Sequence, residues 1–259
     1  KRATTVSIDR FGDQTIVVTG GAGGIGAGIA KAFVAAGGQV VVADVAVAAA
    51  QLLVAELGKS ARYLPLDVTD ESSWISVLDS VDREYGGLDV LVNCAGYYQP
   101  NVPFEEMPLA LWRKHFAINA DGVFLGCKHG IQRMKQRGGA IVNIGSGMSI
   151  KAIATASAYC GSKAAVLMTT RTAAAAAGAY SIRVNAVSPG PVPTAMLRGN
   201  LVADQTEDEL IQSLGQFSAL QRLATPADVA HAVLFLSDRA SANITGVFLP
   251  VDAGNLVGA

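Results

Sequence analysis

Charge is scarce in this chain. Only 16% of its 259 residues are Asp, Glu, Lys or Arg, and 20 basic residues against 21 acidic ones leave a formal charge of −1. A chain without a basic excess has no electrostatic footprint for nucleic acid, and no polybasic block marks a membrane surface. Cysteine is nearly absent: Cys94, Cys127 and Cys160 are odd in number and widely spaced, which excludes a disulfide framework and paired metal-ligand spacing and points to a reducing, cytoplasmic compartment. Aromatic residues make up 6%. A long apolar run is missing too. The longest charge-free stretch, Gln14 to Ala30, is broken up by glycines, whereas a membrane span needs about 20 mainly apolar residues. Lys1 to Asp13 is polar and lacks the apolar core of a signal peptide.

What the chain has instead is hydrophobicity, at 51%, and 28 glycines without a collagen-like period. A glycine excess of that kind signals close backbone approach or positive φ at several places. Short β-branched runs alternate with longer helical stretches. Strands are expected at Thr15–Thr19, Gln39–Ala43, Ala61–Pro65, Val90–Asn93, Ala140–Ile144, Ile182–Val187 and Val247–Val251. Helices are expected at Ile25–Ala36, Val47–Leu57, Glu71–Tyr85, over most of Leu109–Arg137, at Ala158–Ala179 and at Pro226–Leu236. Strands apolar on both faces and separated by helices mean parallel βαβ units, and right-handed crossovers then wind them into one doubly wound α/β sheet. The expected architecture is a single domain over 1–259 with a substrate lid near 195–221, irregular to helical.

Gly20, Gly21, Gly23, Gly24 and Gly26 lie between the first strand and the first helix. Glycines there let the backbone approach a pyrophosphate, whose charge the helix N-terminus favours. Asp44 ends the second strand about twenty residues on, where a carboxylate can accept hydrogen bonds from ribose hydroxyls. No Lys or Arg lies beside it or in the glycine loop, so NAD is expected and a 2′-phosphate, hence NADP, is disfavoured. The bland alternative for Asp44 is a helix cap.

Tyr159 and Lys163 stand four apart on one predicted helix face. A tyrosine with its pKa near 10 is a poor base, and a neighbouring ammonium is expected to lower it. Ser146 lies at the end of the fifth strand, so Ser, Tyr and Lys converge at the carboxyl end of the sheet, where ligands of open α/β sheets bind.

With these motifs the chain resembles the short-chain dehydrogenase/reductase family, of the single-domain Rossmann kind, over nearly its whole length. The family's glycine motif matches Thr19 through Gly26, Ile25 included; its adenine-contacting Asp-Val matches Asp67-Val68; and its Asn-Asn-Ala-Gly matches Asn93-Cys94-Ala95-Gly96, with cysteine in second place. Its helix asparagine matches Asn119, its serine Ser146, its Tyr-x-x-x-Lys Tyr159 and Lys163, and its Pro-Gly matches Pro189-Gly190, with Val192 and Thr194 placed for the nicotinamide carboxamide. The resemblance implies that Tyr159 is the general base or acid and that Ser146 bonds the developing carbonyl oxygen. Lys163 would lower the Tyr159 pKa and bind the nicotinamide ribose, and Asn119 would hold a water that links Lys163 to solvent. It also implies a homotetramer. The stretch Thr172–Gly178 lacks a glutamate that many relatives carry there.

Substrate contacts are expected from Tyr98, Met148 and Met196 with Ser146 and Tyr159, and further from Tyr97, Ile150, Leu197, Leu201 and Phe217, though half of these could simply pack the lid. Lys151 is the nearby cation and Arg198 flanks the lid, so a mainly apolar, uncharged secondary alcohol or ketone is expected. The alternatives are a 3-oxoacyl thioester reductase, disfavoured by Asp44, and a non-catalytic dinucleotide sensor, disfavoured because Ser, Tyr and Lys are all present. His115, His129 and His231 read as surface or packing residues, Cys94 and Cys160 as packing, and Trp74 and Trp112 as core or interface. No metal site is expected.

Overall fold

The computed structural model describes residues 10–201 and 204–257. Most of the polar stretch read from Lys1, and positions 202–203 of the expected lid, lie outside them. Seven parallel strands form one sheet: β1 Thr15–Thr19, β2 Gln39–Asp44, β3 Ala61–Pro65, β4 Val90–Asn93, β5 Gly139–Ile144, β6 Ile182–Pro189 and β7 Phe248–Val251. Their order is β3-β2-β1-β4-β5-β6-β7. The order reverses beside β1, between β2 and β4, and a crevice opens at such a switch point at the carboxyl ends of the strands.

The strands read as unbroken apolar runs because both faces are covered. On one face Ile16, Val18, Val40, Val42, Val92 and Val142 pack under α1 (Gly24–Ala35) and α9 (Pro226–Ser237), through Ile29, Phe33, Val229 and Val233. The intervening residues Val17, Val41, Leu91, Ile141 and Val184 point the other way. They meet Trp74, Leu78, Val123 and Val166 of α3 (Glu71–Tyr85), α5 (Gly122–Met134) and α6 (Ser157–Ala177). α2 (Val47–Leu57) links β2 to β3 and buries Ala50 and Leu53. Among the described residues no helix is long and apolar enough to cross a membrane.

Two departures from the expected elements matter for the site. The helical stretch expected over Leu109–Arg137 is α4 (Leu109–Phe116), a π-helical turn (Ala117–Asp121) and α5, ending at Met134. Wide turns of this kind recur at functional positions, and this one carries Asn119. The lid region holds a short helix, α7 (Ala195–Arg198), and α8 (Glu207–Gly215). A capping box between Thr206 and Glu209 starts α8. Leu197, Leu210 and Leu223 form a small apolar cluster of their own, so Leu197 has a packing role.

Candidate active site

Between β1 and α1 the chain makes a tight turn that glycine permits. Gly20 has φ +60°, and a Cβ there would lie 2.6 Å from the Ala95 Cα; one at Gly26 would lie 2.1 Å from the Gly20 carbonyl oxygen. Thr19 ties this turn to the end of β4, its hydroxyl accepting from the backbone N–H groups of Cys94 and Ala95, each at 3.1 Å. No side chain caps the N-terminus of α1. Its first N–H groups, those of Gly24 and Ile25, are donors suited to a phosphate, while the Gly23 N–H donates to the Gly20 carbonyl at 3.3 Å. A Cβ at Gly24 would meet the Thr194 side chain at 2.4 Å, so the segment after β6 lies against the first turn of α1.

Asp44 is buried at the end of β2, where its Oδ2 accepts from the Ala22 N–H at 3.0 Å and its Oδ1 from the Ala46 N–H at 2.9 Å. The carboxylate therefore braces the glycine loop and the turn into α2. Each oxygen keeps a further lone pair beyond these bonds. Asp67 folds back on Thr69 through its N–H and hydroxyl. Val68 is held from behind by the buried Trp74, whose Nε1 donates to its carbonyl at 3.1 Å. Asn93 faces away from the crevice: its Nδ2 donates to Asn143 Oδ1 at 2.8 Å, and Asn143 in turn donates to Thr170. Its side chain thus ties β4 to β5 and α6. Pro189 ends β6, and Gly190, just after it, packs closely on Asp252. Val192 is buried beyond them.

Ser146 follows β5 and accepts at Oγ from the Met148 N–H at 3.1 Å. Tyr159 lies in the first turn of α6. Burial pushes its phenol pKa well above the usual 10, and a hydrogen bond from Ser146 pulls it back only in part. Lys163 is 4% exposed and its Nζ donates to the Ile144 carbonyl at 2.8 Å. It lies 5.7 Å from the Tyr159 ring centroid, and burial pulls its pKa down to about 8. Desolvation is the largest influence on the Tyr159 phenol, and the group that pulls its pKa down is Ser146. Burial thus favours the protonated phenol of Tyr159.

Asn119 is fully buried and both of its amide protons are used. Oδ1 accepts from the Tyr97 N–H at 2.7 Å, while Nδ2 donates to the Tyr97 carbonyl at 2.9 Å and to Ser162 Oγ at 3.0 Å. Gly96 and Ala95 sit between Asn119, Lys163 and the glycine loop. The Tyr98 ring lies 4.6 Å from the Tyr159 ring, and its hydroxyl donates to Asn200 Oδ1 at 3.0 Å. Met148 is half-buried beside Ser146, and Met196, in α7, is 42% exposed. Ile150 and Phe217 are more exposed still. Residue-type reasoning missed Asn200 and His115, the latter fully buried against the Tyr97 ring. The one signal for His115 is its spacing of one helical turn from Asn119. The buried thiols of Cys94 and Cys127 are each pushed up to about 12, so they stay protonated. Trp112 stacks on Phe116 with 4.9 Å between centroids, a packing role.

A glycine turn at an uncapped helix, a carboxylate at the end of β2, and Ser, Tyr and Lys at the end of β5 define a dinucleotide-dependent oxidoreductase of the doubly wound α/β class. A family model described as enoyl-(acyl carrier protein) reductase matches residues 20–255. Among similar proteins, cis-4-hydroxycyclohexanecarboxylate dehydrogenase of Sinomonas cyclohexanicum is 39% identical over 249 residues, 95% of this chain and 98% of that protein. The 2,5-dichloro-2,5-cyclohexadiene-1,4-diol dehydrogenase of Sphingobium indicum is 36% identical over 96% of this chain and 99% of its own. The 3-beta-hydroxysteroid dehydrogenase of Comamonas testosteroni is 35% identical over 94% of this chain and 96% of its own. The chain belongs to the short-chain dehydrogenase/reductase family, whose dehydrogenases use a nicotinamide dinucleotide.

Proposed function

We propose that this chain is an NAD-dependent dehydrogenase, working also as a reductase, for a mainly apolar secondary alcohol carried on a carbocyclic ring. The observation that carries the reading is the meeting of Ser146, Tyr159 and Lys163 at the carboxyl end of β5, across the crevice from the glycine turn. The activities for which the relatives are named, on hydroxylated cyclohexane, cyclohexadiene and steroid rings, support the ring. The aromatic wall of Tyr98 and the sulfurs of Met148 and Met196 support an apolar one.

The pyrophosphate would lie on the turn Gly20–Gly26 and the free N–H groups of α1, the adenosine ribose on Asp44, the adenine by Asp67 and Val68, and the nicotinamide by Gly96, Pro189, Gly190, Val192 and Thr194. The nicotinamide, when bound, supplies hydride acceptance or donation. The chain's own groups handle the proton. In reduction Tyr159 donates its phenolic proton to the carbonyl oxygen while Ser146 donates a hydrogen bond to the same oxygen; in oxidation Tyr159 takes the proton back. Lys163 charge favours the phenolate form and its position suits the nicotinamide ribose. Asn119, in the wide turn, would hold the water that links Lys163 to solvent.

Asp44 supports NAD over NADP and counts against 3-oxoacyl thioester reduction. The tight Tyr159–Lys163 spacing with Ser146 favours alcohol chemistry over enoyl reduction. The intact trio counts against a silent sensor. A homotetramer is supported by exposed Leu109, Phe124 and Met168 on α4, α5 and α6, and a cytoplasmic setting by three free thiols. The segment 195–221 is read as the substrate lid of one domain. The test is a panel of cyclohexanols, linear secondary alcohols and 3-oxoacyl thioesters with NAD(H) and NADP(H), followed at the nicotinamide absorbance. Turnover of cyclohexanols with NAD ahead of NADP is expected; thioester reduction with NADPH alone would overturn the reading.

A further inference from the structure

The Tyr98 ring packs against the Tyr159 ring at an interplanar angle of 59°, yet it sits in a segment with no helix or strand of its own. Two side chains one helical turn apart hold that segment. Asn119 bonds both the N–H and the carbonyl of Tyr97. His115, on α4, takes the other end: the Gln99 N–H donates to its Nε2 at 3.2 Å, and its Nδ1 contacts the Leu111 carbonyl at 2.9 Å. A carbonyl can only accept and a backbone N–H can only donate, so these partners require a neutral ring with its proton on Nδ1. The ring is fully buried, 4.9 Å from the Tyr97 ring and 6.4 Å from the Tyr159 ring. The charged or titratable groups around it are Lys114 of its own helix, whose ammonium lies 4.1 Å over the Tyr97 ring, Tyr97 and Tyr98 of the loop, and Tyr159 of α6.

We propose that His115 is a positioning residue: by accepting the Gln99 N–H as a neutral imidazole, it holds the Tyr97–Gln99 segment so that Tyr98 forms the substrate wall against Tyr159. The proposal rests on the reading of Tyr159 as the reacting group. Protonation would turn Nε2 into a donor facing a donor and release the segment. Burial, with Lys114 adding to it, already holds the ring pKa below its usual 6.5, in keeping with the neutral ring the geometry requires.

The test compares the wild-type enzyme with His115→Leu and His115→Gln, using cyclohexanol and NAD. Leucine removes the acceptor; glutamine places an amide oxygen at similar reach and does not titrate. At pH 7.5 His115→Leu is expected to raise the cyclohexanol KM about tenfold, the weight of one lost hydrogen bond, with kcat changed less than about twofold, NAD affinity kept, and faster hydrogen exchange at the Gln99 amide. His115→Gln is expected to restore both KM and exchange protection. Between pH 7.5 and 5 the wild-type KM is expected to rise while that of His115→Gln stays level. An unchanged KM and Gln99 exchange in His115→Leu would overturn the proposal, as would a glutamine variant as impaired as the leucine one. If leucine prevents folding, the wild-type and glutamine pH comparison decides alone. Gln99 exchange reports the clamp without turnover, so a failed Tyr159 assignment, read from an active Tyr159→Phe enzyme, is told apart from a failed clamp.

Discussion

Lys163 donates from Nζ to the main-chain carbonyl of Ile144, which anchors its charge at the end of β5 just ahead of Ser146. That position is costly. With its pKa at about 8 against an ordinary 10.5, the folded chain releases the lysine proton before the unfolded chain does. Between those values the unfolded state binds more protons, so stability rises with pH. Lys163→Met lacks this dependence. Denaturant unfolding at pH 7 and pH 10.5 should show the wild type gaining roughly 2–3 kcal/mol on the variant across that window. An equal pH response in both proteins would mean that the ammonium is not desolvated as the burial indicates. The variant should also lose turnover.

Gly20→Ala tests the turn. The added methyl would meet the Ala95 backbone at 2.6 Å, in a positive-φ conformation that alanine resists. The expected loss of stability is at least about 2 kcal/mol, with NAD affinity falling alongside. Thermal unfolding and NAD titration check it; an alanine variant as stable as the parent would show that the turn has room.

Asp44→Ala should act twice. Removing the carboxylate leaves the N–H groups of Ala22 and Ala46 without their partner, which costs about 1–3 kcal/mol of stability even with no ligand present. The preference for NAD over NADP should shrink by about 10- to 100-fold, the weight of a charged hydrogen bond. A preference that stays put would separate Asp44 from cofactor choice.

The strands and the Ser-Tyr-Lys trio were legible in the amino-acid order because each leaves a local mark. Val17 and Val18 must both be apolar when both faces of the sheet are covered, and Tyr159 and Lys163 announce a shared helix face by their spacing. The clamp was not legible. Asn119 and His115 bond main-chain atoms of a loop distant in sequence, and a backbone partner leaves no trace in residue type. Asn93 shows the same limit: its motif pointed to the cofactor side, whereas its amide bonds Asn143 inside the sheet. The state of Tyr159 also escaped, since spacing reveals a nearby ammonium but not the depth of burial that raises the phenol pKa.

Tyr98→Phe keeps the ring against Tyr159 and removes the hydroxyl that reaches Asn200. The loop after β4 then loses its tie to the segment after α7. The cyclohexanol KM should rise a few-fold, within the roughly tenfold weight of one hydrogen bond, with kcat little changed. Steady-state kinetics against NAD decide it; a fall in kcat at constant KM would give the hydroxyl a chemical role instead.

The most direct measurement is turnover by Tyr159→Phe, assayed at the nicotinamide absorbance in both directions beside NAD binding by titration. The ring stays in place and only the transferable proton is lost. The account predicts that kcat falls by at least about 100-fold, as for loss of a general acid–base group, while NAD affinity stays within about threefold. A phenylalanine variant that turns over at near wild-type rate would contradict the assignment of Tyr159.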